Sequence, residues 1–479
     1  MALNYTVTIP TSSPSAKFAP SIWLQLTLVI LSGTMVWKTQ ALRKHYLKCR
    51  SFDACVRRPS KALWSSSLFW QPHPVHMRIF GSDICVVQGN RNIAAMLKEN
   101  SLSAIPLATH LMQKNRPRWH KTMCIRIREV NRRFLTGPEG AVFMDKFQIG
   151  LKALIQALQQ RMSSEWSHWE DLTTFFKRDL TAVVLNAICG DNLLRLSPEF
   201  LDDLWDFNDS LTSFLTHDSK IFGTRKYEAR DRALLAIERW QTVAAQSIAP
   251  GSLDFIRSDP HWGSSFFRGR YAMMQSLEGY DAAAMASQEL SFLYALNSNA
   301  IIATFWTAVE VYKDVELLRD VRAVVESCLI PGQTMDFDVQ ALLRQPLLQA
   351  VCSHVPGVWC STRAGPNPPV DVFWPGRFLR SNDGIVEFNL KTTEDSWVPF
   401  GGGIIPCPGR QFAKLQAIVA MALLVTKVDC TILGDDRMLQ MSMKNFGIDI
   451  LSPMIRRCET EIATIRNSPI SSGWRDAVS

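Results

Sequence analysis

Apolar residues recur at intervals of three and four through much of the chain, and between residues 143 and about 248 the pattern is almost unbroken. Stretches such as DKFQIGLKALIQALQQRM and YEARDRALLAIERWQTVAAQSI carry it with little glycine or proline. That spacing matches the 3.6-residue turn of a helix, so the middle of the chain is predicted to be mostly α-helical. A shorter period occupies residues 77–89, MRIFGSDICVVQG, which is rich in β-branched residues, and NRNIAAMLKEN follows with helical spacing. A strand pair leading into a helix is expected there. No repeat of fixed period is visible.

A third pattern has no polar face at all. Residues 18–37, FAPSIWLQLTLVILSGTMVW, hold no charge and are bounded by Lys17 and Lys38. At a rise of ~1.5 Å per residue such a stretch crosses a hydrocarbon core of ~30 Å. Trp37 and the basic residues after it do not resemble a small-residue cleavage site, so a membrane anchor is expected over a cleaved signal or a buried core helix. The remaining organisation follows: a short lumenal tail over 1–17, the anchor over 18–37, a basic linker over 38–61 and one large folded domain over 62–479.

Composition sharpens this reading. With 47% hydrophobic and 20% charged residues among 479, there is ample material for a sizeable core, and no Gly/Ser-rich or Pro-rich linker divides it. The net charge is +8. Residues 1–61 alone hold nine basic side chains against one acid, Asp53, which accounts for all of it. A basic excess confined to one end argues for a membrane surface or a topology signal and against a nucleic-acid-binding face. Because the basic residues follow the apolar stretch, its C-terminal side is placed in the cytosol. The sequon Asn4-Tyr5-Thr6 lies on the side expected to be lumenal. Eleven cysteines without regular spacing form neither a disulfide framework nor a Cys-x-x-Cys pattern, which places the domain in a reducing compartment.

The densest chemistry lies in residues 398–416, VPFGGGIIPCPGRQFAKLQ. Glycines at 401, 402 and 403 let the backbone pass close to a flat, bulky group. Pro406 and Pro408 stiffen the loop on both sides of Cys407. RQFAKLQAIVAMALLV then continues as an apolar helical stretch, so the thiol stands just before a helix N-terminus, where amides and dipole favour a thiolate. A thiolate so placed can ligate iron and push electron density onto it. A dinucleotide-binding loop is excluded, because Pro406 follows where a further glycine is required. The bland alternative is an inert cysteine in a glycine-rich turn.

This segment resembles the haem-binding loop of cytochromes P450, whose pattern is F-x-x-G-x-R-x-C-x-G. Phe400, Gly403, Cys407 and Gly409 match, while Ile405 occupies the arginine position. That substitution, with Pro-Gly-Arg after the cysteine, is similar to the branch containing cholesterol 7α-hydroxylase and prostacyclin synthase. Residues 295–306, ALNSNAIIATFW, resemble the long central helix of that branch, with Asn299 at the threonine position and Ser298 at the acid; the alternative is an apolar helix with two polar residues turned to solvent. Residues 373–379, FWPGRFL, are similar to the family's Pro-x-Arg-Phe element. One stretch departs from the family. In PLLQAVCSHVPGVW, His354 and Gly357 stand where the family has the Glu and Arg that pair with the arginine of the later element, here Arg377. Glu129-x-x-Arg132 has the right letters in the wrong part of the chain.

The resemblance implies a mostly α fold with a small β region, a cytochrome P450 fold behind a single N-terminal transmembrane helix. It implies haem b (iron protoporphyrin IX) as cofactor, with Cys407 as the metal ligand, Phe400, Gly403 and Gly409 shaping the loop, and Ser298 and Asn299 near the distal face. The implied activity is a monooxygenase acting on a lipophilic substrate such as a terpenoid, sterol or other polycycle, a class of secondary-metabolite oxidation. The implied partners are O₂, the membrane and NADPH-cytochrome P450 reductase, with no nucleic acid, and the implied location is the endoplasmic reticulum membrane with the catalytic domain cytosolic. A reductase-independent haem-thiolate isomerase and a catalytically impaired P450-like membrane protein are the alternatives.

Overall fold

The computed structural model describes residues 5–9, 75–79, 82–87, 90–99, 121–161, 166–169, 172–215, 224–247, 259–278, 280–353, 372–393, 397–401, 406–433 and 460–464. The expected anchor at 18–37 lies outside them. The chain divides into two compact units, the first comprising Met1–Lys121, Val358–Val370 and Glu394–Pro406, the second Thr122–Gly357, Asp371–Thr393 and Cys407–Ser479.

In the first unit, β1 (Tyr5–Ile9), β2 (Val75–Ile79) and β3 (Ser82–Val87) form an antiparallel sheet in the order β1-β3-β2, and α1 (Asn90–Lys98) follows. The β2–β3 pair and its helix are those expected from residues 77–89, in register Met77 with Ile84 and Val75 with Val86. The strand β1 falls within the residues expected to form a lumenal tail, and it pairs with β3 from Tyr5 opposite Val87 to Ile9 opposite Asp83.

The second unit is helical, as the apolar spacing requires. Its helices begin with α2 (Lys121–Thr136, whose first residue belongs to the other unit), α3 (Pro138–Arg161) and, after the short strand β4 (Ser167–Trp169), α4 (Thr181–Cys189). The six residues before α4, Phe175–Leu180, form a π-helix, a wide turn of the kind that often marks functional or strained positions. Next come α5 (Asn192–Leu196), α6 (Phe200–Leu215), α7 (Thr224–Gln246) and α8 (Ser265–Gln275).

At the centre is α9 (Ala282–Lys313), of 32 residues, followed by α10 (Val315–Glu326), α11 (Val339–Arg344) and α12 (Pro346–Ser353). Aspartates start three of these helices: Asp281 accepts from Ala284 N at 2.7 Å, Asp314 from Leu317 N at 3.0 Å and Asp338 from Ala341 N at 2.9 Å. Each satisfies an amide that the first turn leaves open. Length and composition would let α9 cross a membrane, but it is mostly buried, with α7 and the later helix α13 (Arg410–Lys427) against it. A helix apolar on all sides belongs in a core of this kind.

Before α13, a 3₁₀ turn (Pro375–Phe378) leads into the hairpin β5 (Leu379–Asn382) and β6 (Ile385–Phe388). Asp383 and Gly384, at φ 50° and 80°, make its two-residue turn, the Asp-Gly signature of a type I′ hairpin. After α13, β7 (Val428–Ile432) and β8 (Thr460–Thr464) complete a sheet with β4 in the order β4-β8-β7.

One corner of this unit depends on absent side chains. Gly190 and Gly263, both at positive φ (68° and 72°), meet backbone to backbone, and a Cβ on Gly263 would overlap the Cys189–Gly190 peptide. Around them Lys146 Nζ donates to Gly263 O at 2.8 Å, Asn192 Nδ2 to Pro260 O at 3.0 Å and Trp240 Nε1 to His261 O at 3.1 Å.

Candidate functional site

The chain enters α13 through Cys407, an exposed residue, unlike the buried Cys189, Cys328 and Cys430. Gly409 is the N-cap and offers no side-chain acceptor, so the first amides of α13 remain available to a group at this end. Desolvation is the largest influence on the Cys407 thiol and raises it above its ordinary range, while the Gly409 amide, hydrogen-bonded to it, and the Arg410 charge pull it down. The helix start is visible in the sequence; the desolvation comes from neighbours in space. A bound cation would supply the rest of what a thiolate needs, since metal ligation deprotonates a thiol.

The bare face beside the sulfur is also measurable. A Cβ on Gly409 would stand 3.8 Å from Cys407 Sγ and 3.9 Å from Leu135 Cδ1, so Gly409 borders the sulfur directly, at ordinary contact distance. Among the described residues no cluster of three His, Cys, Asp or Glu side chains could hold a metal ion. A single cysteine sulfur suits a metal whose other ligands come from a macrocycle, which is how haem iron is held by a cysteine thiolate. The residues present therefore fit the expected group, with Cys407 as ligand and Gly409 beside it.

Packing fixes where this loop ends. Phe412, on the buried face of α13, lies tilted against Phe143 with ring centroids 4.6 Å apart and edge-on to Phe147 at 6.1 Å, both on α3. Lys414 Nζ donates to Gln349 Oε1 at 2.6 Å and ties α13 to α12.

The other expected residues divide by unit. Phe400, in the first unit, is half-buried with its ring edge-on to Trp397 at 6.3 Å, and Gly401 closes a turn through its amide to Val398 O at 3.1 Å with φ 62°. Gly403 and Ile405 lie outside the described residues. In the second unit Ser298 is 2% exposed and Asn299 half-buried, with Asn299 Nδ2 donating to Ser298 Oγ at 3.5 Å. The solvent-facing alternative for this pair is thereby excluded for Ser298. Around it, Asn297 Nδ2, Thr304 Oγ1 and Thr307 Oγ1 each donate to the carbonyl four residues back, at 2.8, 2.7 and 2.9 Å, so these three polar groups are bonded within α9 itself.

Arg377 is buried in the 3₁₀ turn, with its guanidinium 5.5 Å from the Trp374 ring centroid. The positions His354 and Gly357 lie outside the described residues. Glu129 and Arg132 are an exposed pair on α2, joined at 2.7 and 2.9 Å, and Arg133 adds a third bond at 2.9 Å. The letter match there is a surface ion pair.

One buried constellation was not anticipated. Arg270 on α8 and Glu289 on α9 are both fully buried, with Arg270 Nε at 3.0 and 2.9 Å from the two carboxylate oxygens. Asn131 on α2 accepts from Arg270 Nη1, and Phe266 and Phe292 lie against the guanidinium with ring centroids at 5.2 and 5.1 Å. Burial raises the Glu289 carboxyl above its usual range, opposed by the Arg270 charge and hydrogen bond. The available signal was a charge among the apolar residues of each helix, Arg270 on α8 and Glu289 on α9.

Comparison with known proteins agrees with the sequence motifs. The family profile described as "Cytochrome P450" matches residues 366–455. Over 443 residues the chain is 24% identical to the cytochrome P450 monooxygenase fsoE of Humicola fuscoatra, covering 76% of each chain. It is 23% identical over 447 residues to the cytochrome P450 monooxygenase efuG of Hormonema carpetanum, covering 76% of this chain and 78% of that one. Among solved structures, a crystal structure of a cytochrome P450 superposes with a TM-score of 0.58 at 13% identity, over 84% of this chain and 94% of that chain. That last likeness is one of fold.

Proposed function

We propose that this chain, which is a cytochrome P450 monooxygenase with haem as its cofactor, oxidises a lipophilic small molecule of secondary metabolism, a terpenoid, sterol or similar polycycle. The observation that carries the reading is Cys407, an exposed residue just before the N-terminus of α13, with the Gly409 amide and the Arg410 charge favouring its thiolate. Haem supplies the redox chemistry: one oxygen atom of O₂ enters the substrate and the other leaves as water, with two electrons from NADPH-cytochrome P450 reductase. The chain's own residues have the remaining work. Cys407 holds the iron, Phe400 and Gly403 shape the approach of its loop, and Ser298 and Asn299 orient substrate or hold protons. A reduced carbon-monoxide difference spectrum tests the assignment, and reductase dependence of turnover separates an oxygenase from an isomerase.

Asn299 has a specific expected effect. An amide donates and accepts but does not relay a proton as a hydroxyl does. Asn299→Ala is expected to lower the product formed per NADPH consumed while the carbon-monoxide spectrum stays unchanged. Unaltered coupling and rate would remove Asn299 from the pocket.

Attachment to the endoplasmic reticulum is proposed on the uncharged stretch 18–37 and the basic residues after it. Deleting residues 1–37 is expected to release folded, haem-binding protein from membranes; a truncated protein that still sediments wholly with membranes would refute the anchor. The β1–β3 pairing is the opposing observation, because it sets residues 5–9 on the same side as residues 82–87. Glycan occupancy at Asn4 decides between them: occupied Asn4 is lumenal and the pairing fails.

The discordant stretch around His354 and Gly357 has a further expected outcome. Arg377, which the resemblance pairs with the Glu and Arg of that helix, is buried. The motifs read on both sides are intact, and the match to the family profile begins at residue 366. We expect the transcript to encode a Glu-x-x-Arg helix where residues 351–370 stand, through a different splice junction. A transcript matching this sequence, with strong haem binding by its product, would refute that.

A further inference from the structure

The buried pair on α8 and α9 reaches further than its own two helices. Arg270 Nε donates to both oxygens of Glu289 and Nη1 donates to Asn131 Oδ1 on α2, so one fully buried side chain ties three helices together. Its Nη2 is buried with no acceptor among the described residues. A charge pair so placed is weak evidence of added stability, since well-packed apolar side chains of similar volume often do as well or better in its place. What it adds is direction. Apolar packing is non-directional and fixes how near two helices lie, whereas hydrogen bonds from a planar fork of donors fix how one helix is turned and shifted along another.

Helix α2 has both kinds of tie. Phe134 stacks on Phe266, the ring that lies against the Arg270 guanidinium, with centroids 4.0 Å apart, and Asn131 accepts the hydrogen bond. Four residues beyond Asn131, on the same face of α2, is Leu135. Its Cδ1 and the Cys407 sulfur both border Gly409, at 3.9 and 3.8 Å from the point where a Cβ would stand. The turn of α2 that Arg270 holds is therefore followed directly by the turn that abuts the cysteine loop.

We propose that Asn131 and Arg270 are positioning residues for Cys407: they set the register of α2 and, through Leu135, the place of the sulfur before α13. This rests on the reading of Cys407 as the iron ligand. The test is the share of bound haem that gives the thiolate-type band in the reduced carbon-monoxide spectrum, read beside the denaturant midpoint of the haem-loaded, full-length protein. Asn131→Leu is expected to lose thiolate-type signal to the band of a neutral thiol, and Asn131→Asp, which keeps an oxygen facing Arg270, to restore it. Arg270→Met with Glu289→Leu separates position from stability, because it removes the buried charges and also the donor to Asn131. A midpoint close to that of the wild type with a reduced thiolate share is expected there. A full thiolate share in Asn131→Leu or in the folded double variant overturns the proposal, as does an Asn131→Asp share as low as that of Asn131→Leu. If the double variant does not fold, the two Asn131 variants decide alone. A wild-type protein without the thiolate band sinks the iron-ligand reading and this inference with it, whereas a full band in the wild type and in every variant sinks this inference alone.

Discussion

Cys407→Ala is expected to abolish the thiolate-type carbon-monoxide spectrum and reduce substrate oxidation to background. The reason is chemical: no other side chain supplies an electron-donating sulfur at the start of α13, and the ligand sets the electronic character of the iron. A neighbouring cysteine does not substitute. Cys189, Cys328 and Cys430 are buried, and burial pushes the Cys352 thiol up to about 12, so it stays protonated. The helical core does not depend on this sulfur, since Phe412 and Lys414 still fasten α13 to α3 and α12. Retained far-ultraviolet circular dichroism with a lost spectrum is therefore the expected pair of results, and a full thiolate spectrum in the variant would sink the assignment.

The second large effect is on stability. Glu289→Leu leaves the Arg270 guanidinium at zero exposure with Asn131 and two aromatic faces but no counter-charge. Removing one member of a buried pair typically costs ~3–5 kcal/mol, a large share of a total stability of ~5–15 kcal/mol. Replacing both, as Arg270→Met with Glu289→Leu, is expected to recover most of the loss, because the desolvation of two charges disappears with them. Denaturant midpoints for the two single variants and the double variant form the cycle that measures this. If the double variant is as unstable as either single one, the coupling argument is wrong.

Much of the architecture was legible because it is local. The β2–β3 pair followed by α1 comes from the alternation in 77–89, and α13 follows from the apolar spacing after Gly409. The site's cysteine was legible for a similar reason: glycines, prolines and a helix start sit within a few residues of it. Long-range pairing was not. The sheet β4-β8-β7 joins Ser167 to Ile462, and no periodicity carries a partner across that separation. Arg270, Glu289 and Asn131 are likewise brought together by three helices, each of which reads alone as ordinary. The hairpin at Asp383-Gly384 could have been read from its turn residues. The desolvation of Cys407 needed neighbours in space.

The meeting of Gly190 and Gly263 bears on how this unit opens. The loop between α4 and α5 cannot move alone, since its peptide lies flush against the loop between α7 and α8, and Lys146, Asn192 and Trp240 bond into the second loop from three helices. Freeing any of these carbonyls from its donor requires releasing the others in the same event. Five helices therefore share one opening transition at this corner, with the free energy of that larger event.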